Sequence, residues 1–161
     1  MIAVRPPAAF VFSHPAHAVA FGFGAGLVPY APGTAGTALG WGLGWALGGL
    51  HPGIFFFLAM VFFVIGVRAC ELTGRHLGVA DHGAMVWDEV VAFLLIVAIV
   101  PRELAWQAAA FVAFRFFDIT KPPPIRHFER RYSGGFGVML DDVVAALYTL
   151  LLLAAVKRLL F

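Results

Sequence analysis

Five apolar stretches, almost free of charged side chains, constrain the fold of this chain more than any other feature of its sequence. Turn-forming or polar segments separate them, and they cover about residues 38–50, 54–70, 86–100, 104–117 and 142–160. Only 12% of the residues are charged and 61% are hydrophobic, whereas soluble domains average about 25% and roughly 45–50%. So much apolar surface favours a lipid bilayer over water as the surrounding medium. The sequence therefore predicts an all-α fold, a polytopic membrane bundle of about five helices.

The chain is predicted to form one membrane-embedded domain over residues 1–161, because no Ser-rich, Gln-rich or long charged segment divides it. Several of the apolar stretches are shorter than the roughly 20 residues that span a bilayer comfortably, so tilt or incomplete spanning has to compensate. The segment 10–31 is also apolar, but prolines, histidines and glycines interrupt any regular helix there. We predict that this segment is interfacial or only partly inserted.

Small residues recur at every fourth position around the first of the five stretches. They are Gly36, Gly40, Gly44 and Gly48. This spacing places them along one face of a helix, where the backbone of a neighbouring helix can approach closely. The stripe therefore predicts helix packing and carries no chemistry.

If each apolar stretch crosses the membrane in the direction opposite to the one before it, the polar segments 1–37, 68–87 and 118–141 lie on the same side. Seven of the eleven basic residues belong to that side, namely Arg5, Arg68, Arg75, Lys121, Arg126, Arg130 and Arg131. An excess of Lys and Arg in short loops marks the cytoplasmic side. The formal net charge is only +2, and no basic run is interleaved with aromatic residues, so nucleic acid is not expected as a partner.

Acidic residues gather at the predicted helix ends on this cytoplasmic side. Asp88 and Glu89 open the third helix, Asp118 closes the fourth, and Asp141 and Asp142 open the last. Carboxylates at the ends of apolar helices are costly and therefore indicate function. Oxygen ligands from several chain segments suit Mg²⁺, which keeps some waters and completes its shell with substrate phosphate. Plain N-terminal capping is the alternative for either acidic pair taken alone.

Two cations follow Asp118 on a segment that three prolines stiffen. Lys121 can act as a point charge on a phosphate group, and Arg126 can bind phosphate oxygens in a bidentate manner. Contact with anionic lipid head groups, without any catalytic purpose, explains the same residues equally well.

Three further candidates come from shorter signals. The segment 32–37 precedes a predicted helix, so Gly33 and Thr34 can offer backbone N–H groups to an anion. A turn with a threonine cap and no anion site explains the same residues. His82 lies shortly before Asp88 and can relay a proton or position water, but an ordinary interfacial histidine fits as well. The single cysteine, Cys70, is interpreted as a buried apolar residue.

Four strings, in this order and at this spacing, resemble the phosphatidylglycerophosphatase A family. They are PGTAGT (32–37), DHGAMVWDE (81–89), FRFFDITKPPPIRHFE (114–129) and GGFGVMLDD (134–142), and the resemblance runs from about Gly22 to Ala146. One departure is that Ala145-Ala146 stands where the family pattern has an Ala-Gly pair. The departure concerns helix packing and leaves the acidic residues unchanged.

The resemblance implies Mg²⁺-dependent removal of the terminal phosphate from phosphatidylglycerol phosphate, a membrane lipid substrate, in a bacterial inner membrane. Carried over by position, it implies metal ligands at Asp88, Glu89, Asp141 and Asp142. It also implies catalytic roles for Asp88, Asp118, Lys121 and His82, with substrate contacts from Gly33, Thr34, Lys121 and Arg126. Either a water activated by one or two Mg²⁺ ions attacks the phosphate, or Asp118 or Asp88 forms an aspartyl phosphate.

A small membrane ion transporter or channel, with the acidic residues as its mouth, is the alternative function. Such a protein needs a polar path across the bilayer, and the far half of each predicted helix is nearly free of ionisable groups. The oligomeric state stays open.

Overall fold

The computed structural model describes residues 6–123, 125 and 131–160, and every regular element in those residues is helical. The elements are α1 (Ala8–Val11), α2 (Pro15–Ala20), a 3-10 segment (Gly22–Leu27), α3 (Pro32–Leu47), α4 (Pro52–Leu77), α5 (Trp87–Ile99), α6 (Leu104–Thr120) and α7 (Gly134–Leu160). The all-α prediction is therefore confirmed for the described residues. Two of the helices, α4 and α7, are long and apolar enough to cross a membrane.

Three helices extend by six residues or more beyond the boundaries that the sequence predicted. Helix α3 begins at Pro32 instead of near residue 38, because proline suits the first helical position. Helix α4 continues to Leu77, where Gly78 adopts a left-handed conformation and ends it. Helix α7 begins at Gly134, eight residues before the predicted start. The sequence predicts a loop for the glycine-rich residues that form its first turns.

Close packing explains why the glycines at the start of α7 are helical. A Cβ at Gly135 would overlap the Val67 carbonyl oxygen and the backbone nitrogen of Glu71, so α7 approaches the backbone of α4 there. The Glu71 carboxylate also accepts a hydrogen bond of 2.7 Å from Gly135 N, which satisfies a free N–H at the start of α7. Asp141 and Asp142 consequently lie two turns inside α7, and N-terminal capping no longer explains them.

Helix α5 forms the centre of the bundle, packed against α3, α4 and α7. Ten of its thirteen residues are buried. The glycine stripe of α3 faces it as predicted: a Cβ at Gly36 would overlap Val86, and one at Gly40 would overlap the Val90 backbone. The first turn of α5, which carries Asp88 and Glu89, is held against the first turns of α3 by this contact.

The N-terminal segment packs onto the same end of the bundle. Val86 N donates a hydrogen bond of 2.8 Å to Ala20 O, directly before α5. Val11, Ala20 and Phe21 are fully buried in the core that α4 and α5 also line. The apolar segment 10–31 is therefore divided into short helical pieces, with positive φ at Gly22, Phe23 and Gly24, and these pieces cover the approach to α5.

Candidate active site

Three carboxylates converge at the end of the bundle where α5 begins. Asp88 and Glu89 belong to the first turn of α5, and Asp142 reaches them from α7. One oxygen from each residue lies within 4.8 Å of the others. Ligands about 2.1 Å from one Mg²⁺ ion are at most about 4.2 Å apart, so the three oxygens are close enough to be candidates for ligands of a single ion.

Burial makes this convergence costly without a cation. The exposed fractions are 8% for Asp88, 9% for Glu89 and 3% for Asp142. Each residue also has one buried oxygen without a hydrogen-bond partner: Asp88 Oδ1, Glu89 Oε2 and Asp142 Oδ2. Buried polar atoms are nearly always paired, and unpaired carboxylate oxygens are among the most unfavourable exceptions. The three residues therefore fit a hard divalent cation such as Mg²⁺.

Asp118 borders this group from the last turn of α6. Its Oδ2 forms an ion pair of 2.7 Å with Arg115 Nη1, and its carboxyl group lies near that of Asp142. The same Arg115 nitrogen lies 3.4 Å from Glu89 Oε1 and 3.4 Å from Thr37 Oγ1. Helices α3, α5, α6 and α7 thus each contribute a side chain to one polar region. We call its charged part the acidic centre: Asp88, Glu89, Asp118 and Asp142 with Arg115.

Asp141 and Lys121 form a separate ion pair beside the acidic centre. Lys121 Nζ lies 2.5 Å from Asp141 Oδ2, and Asp141 is buried while Lys121 is partly exposed. Lys121 ends α6 in a left-handed conformation, with φ of 42°, which turns the chain toward α7. Asp141 is thus not among the three converging carboxylates, and its predicted role as a metal ligand remains a prediction.

Gly33 lies directly against the acidic centre. A Cβ at this position would overlap Glu89 Oε1 and the guanidinium of Arg115, so the glycine lets α3 approach both groups. Thr37, one turn further along α3, donates a hydrogen bond of 2.8 Å to Gly33 O and contacts Arg115. Thr34 is half-buried in the first turn of α3, where its N–H donates to Ala31 O.

His82 lies in the connection that leads into α5. Its Nδ1 accepts a hydrogen bond of 3.2 Å from Ala84 N, while its Nε2 is buried without a partner. Within the described residues no hydrogen bond joins His82 to the acidic centre, and its catalytic role stays a prediction. Arg126, predicted to bind substrate, lies outside the described residues.

Sequence reasoning missed Arg115 and Thr37. Arg115 belongs to an apolar stretch of the sequence, and its i, i+3 spacing to Asp118 is the one local sign of a helical ion pair. No local signal marks Thr37, because its role depends on how α3 crosses α6.

The fold and the site together define a helical protein with a buried acidic centre that could bind a metal ion. The chain belongs to the phosphatidylglycerophosphatase A family, whose model matches residues 18–157. It is accordingly a phosphatase, that is, a phosphoric monoester hydrolase.

Individual relatives agree with this family. A phosphatidylglycerophosphatase A from Haemophilus influenzae is 44% identical over 150 residues, covering 89% of this chain and 90% of the relative. One from Escherichia coli is 40% identical over 134 residues, covering 83% and 78%. A Bacteroides thetaiotaomicron protein, named as a candidate phosphatidylinositol-3-phosphatase, is 36% identical over 144 residues, covering 84% and 89%. No solved structure matches the chain.

Proposed function

We propose that the chain hydrolyses phosphatidylglycerol phosphate to phosphatidylglycerol and inorganic phosphate, and that it requires Mg²⁺. The observation that carries the proposal is the convergence of Asp88, Glu89 and Asp142, each with a buried oxygen that lacks a partner. The substrate is taken from the names of the two relatives that are phosphatidylglycerophosphatases.

The charges of the acidic centre support metal dependence. Four carboxyl groups face one guanidinium, and a phosphate monoester adds further negative charge of about −1.5 to −2. Such a substrate would be repelled unless divalent cations compensate the carboxylates. Magnesium supplies that compensation and an activated water in sites of this kind. Asp88, Glu89 and Asp142 would hold the ion, with Asp118 at the edge of the same centre.

The remaining candidates would contact the phosphate or the head group. Lys121 and Arg126 would bind phosphate oxygens, and Gly33 and Thr34 would border the head group from the first turn of α3. Asp141 would orient Lys121 through their 2.5 Å ion pair. His82 would hold or release a proton at Nε2, the ring nitrogen that has no partner.

Two routes are open for the attacking group. Water attacks the phosphorus directly in one, with the proton passing to a nearby base. In the other, a carboxylate oxygen of Asp118 or Asp88 attacks first, and water then hydrolyses the aspartyl phosphate. In both routes the bond from phosphorus to the lipid glycerol oxygen breaks, and that oxygen takes up a proton and leaves as phosphatidylglycerol. Acid quenching of a single turnover with radiolabelled phosphate on the lipid separates them. Only the second route leaves label on the protein, as an acyl phosphate that hydroxylamine removes.

We further propose that the protein is a multi-pass protein of the bacterial inner membrane, with the acidic centre facing the cytoplasm. The long apolar helices α4 and α7 support this location. So do the exposed apolar side chains on the outer surface of the bundle, including Phe57, Met60, Val112 and Leu151, because soluble monomers rarely expose such patches. The lipid tails would then stay in the bilayer while the head group reaches the centre.

The deciding experiment is phosphate release from phosphatidylglycerol phosphate in detergent micelles, with phosphatidylinositol 3-phosphate as the second substrate. We expect activity with Mg²⁺, none with EDTA, and a loss of at least about 100-fold in Asp142→Asn, which keeps the shape but removes a ligand charge. Glu103→Gln, an exposed residue at the start of α6, is the matched control. Activity that persists in EDTA would exclude the proposed Mg²⁺ requirement. Higher activity on phosphatidylinositol 3-phosphate would contradict phosphatidylglycerol phosphate as the substrate.

A further inference from the structure

Arg115 connects polar groups from three helices. Its Nη1 is 2.7 Å from Asp118 Oδ2 on its own helix and 3.4 Å from Glu89 Oε1 on α5. The side chain is only 15% exposed. Thr37 of α3 completes the contacts at 3.4 Å.

The two oxygens of Glu89 have different surroundings. Oε1 faces Arg115, whereas Oε2 is buried without a partner. A guanidinium beside one oxygen restrains the carboxylate and leaves the other oxygen available to a cation. Gly33 permits this arrangement, since a Cβ would occupy the space of both groups. Arg115 therefore orients a predicted metal ligand without occupying the metal position.

Charge balance gives Arg115 a second effect. In the metal-free protein it is opposed by four carboxyl groups, and those that are ionised repel one another in a buried environment of low effective dielectric. One permanent positive charge reduces this repulsion, because an arginine side chain stays protonated. The same charge repels an incoming divalent cation and lowers its affinity.

We propose that Arg115 is a positioning residue that acts as a built-in counter-cation: it keeps the acidic centre assembled before metal binds and limits how tightly the centre holds the metal. The part that concerns the metal rests on the proposed function. The part that concerns the metal-free protein does not.

The test compares thermal unfolding of the purified protein in detergent, with EDTA and with a series of Mg²⁺ concentrations. In EDTA, Arg115→Gln should lower the Tm by about 5 °C or more, and Mg²⁺ should restore most of the loss. The rise in Tm produced by Mg²⁺ should be at least twofold larger than in the wild type, and half-saturation should need less Mg²⁺. Arg115→Lys keeps the charge and should resemble the wild type in its Mg²⁺ response.

Two further variants distinguish an effect of the Arg115 charge from an effect of its packing. Arg115→Gln combined with Asp118→Asn removes one charge of each sign and should regain most of the stability in EDTA. Arg75→Gln removes a guanidinium from the exposed Glu71–Arg75 pair on α4 and should leave the Mg²⁺ response unchanged.

Three results would overturn the proposal. An equal loss of Tm with EDTA and with Mg²⁺ would make Arg115 a packing residue. A raised KM for the lipid with an unaltered Mg²⁺ response would make it a phosphate-binding residue. If Arg115→Gln combined with Asp118→Asn does not regain stability, or if neither this double variant nor Arg115→Gln alone folds, charge balance is excluded as the role of Arg115. If the wild type does not respond to Mg²⁺, the proposed function fails, while the comparison in EDTA still decides the role of Arg115.

Discussion

At the scale of single residues, the acidic centre depends on which group stands next to each carboxylate. Glu89 has Arg115 on one oxygen and Gly33 beside it, and Asp141 is neutralised by Lys121. For Asp88 and Asp142, in contrast, no ion pair with a Lys or Arg side chain is found among the described residues. The unequal pairing separates carboxylates that already have a positive partner from those that still require one.

Gly33→Ala tests how tightly α3 fits this centre. The added methyl group would overlap Glu89 Oε1 and the Arg115 guanidinium, so we expect a loss of about 1–3 kcal/mol in the free energy of unfolding and at least about tenfold lower kcat. Gly42→Ala on the same helix is the matched control, because no atom lies within 4 Å of the position that its methyl group would take. Equal effects of the two substitutions, measured by phosphate release and thermal unfolding, would contradict the predicted role of Gly33.

At the scale of helices, the crossing of α4 and α7 decides where Asp142 lies. Gly135 allows the two backbones to touch, and Gly66 on α4 accommodates Trp87 and Met139 in the same way. Trp87 Nε1 donates to Phe62 O at 3.0 Å, which ties the start of α5 to α4. The acids of α5 and α7 are therefore positioned by contacts that lie outside the acidic centre.

Gly135→Ala should disturb the centre from a distance. A Cβ would overlap Val67 O and Glu71 N of α4, so α7 must shift and carry Asp142 away from Asp88. We expect lower thermal stability and a weaker Mg²⁺-induced rise in Tm, both measured on the purified protein. Gly83→Ala, whose added Cβ would have no atom within 4 Å, should change neither. An unaltered Mg²⁺ response in Gly135→Ala would show that the crossing does not position the ligand.

At the scale of the whole molecule, the arrangement separates a polar end from an apolar body. The acidic centre, Lys121 and the end of α4 lie at one end, while Arg102 packs near Gly48 at the other. Trp41 and Trp45 both donate to Gln107 Oε1 at 2.6 Å, which joins α3 to α6 on the way between the two ends. A lipid phosphatase with this layout would work at the depth of the head groups.

Cysteine labelling in spheroplasts tests the proposed orientation. Cys70 is fully buried, so it should give little background with a membrane-impermeant maleimide. We expect Glu103→Cys at the far end to react in intact spheroplasts, and Val79→Cys at the polar end to react only after the membrane is permeabilised. The reverse pattern would place the acidic centre outside the cytoplasm, and labelling of both in intact spheroplasts would contradict a membrane-spanning arrangement.

The family, the helical class and the glycine stripe were readable from the sequence, because hydrophobic runs, Gly spacing and linear motifs are local properties. The sequence predicts that Asp88, Glu89, Asp118, Asp141 and Asp142 converge, since alternating helices bring their ends to one side. The structure brings Asp88, Glu89 and Asp142 together, whereas Asp141 pairs with Lys121. The start of α7 was predicted wrongly, because a glycine-rich segment carries no helical signal until α4 packs against it.

Local pattern alone determined that the chain is a helical, strongly apolar protein with acids in the first turn of α5 and the last turn of α6. Only the tertiary structure decided which carboxylates meet, that Asp141 pairs with Lys121, and that Arg115 lies between Glu89 and Asp118. The physical reason is that these contacts join residues up to 54 positions apart in the chain, from Asp88 to Asp142. Helix crossing sets such distances, and close approach at Gly33, Gly40 and Gly135 sets the crossing.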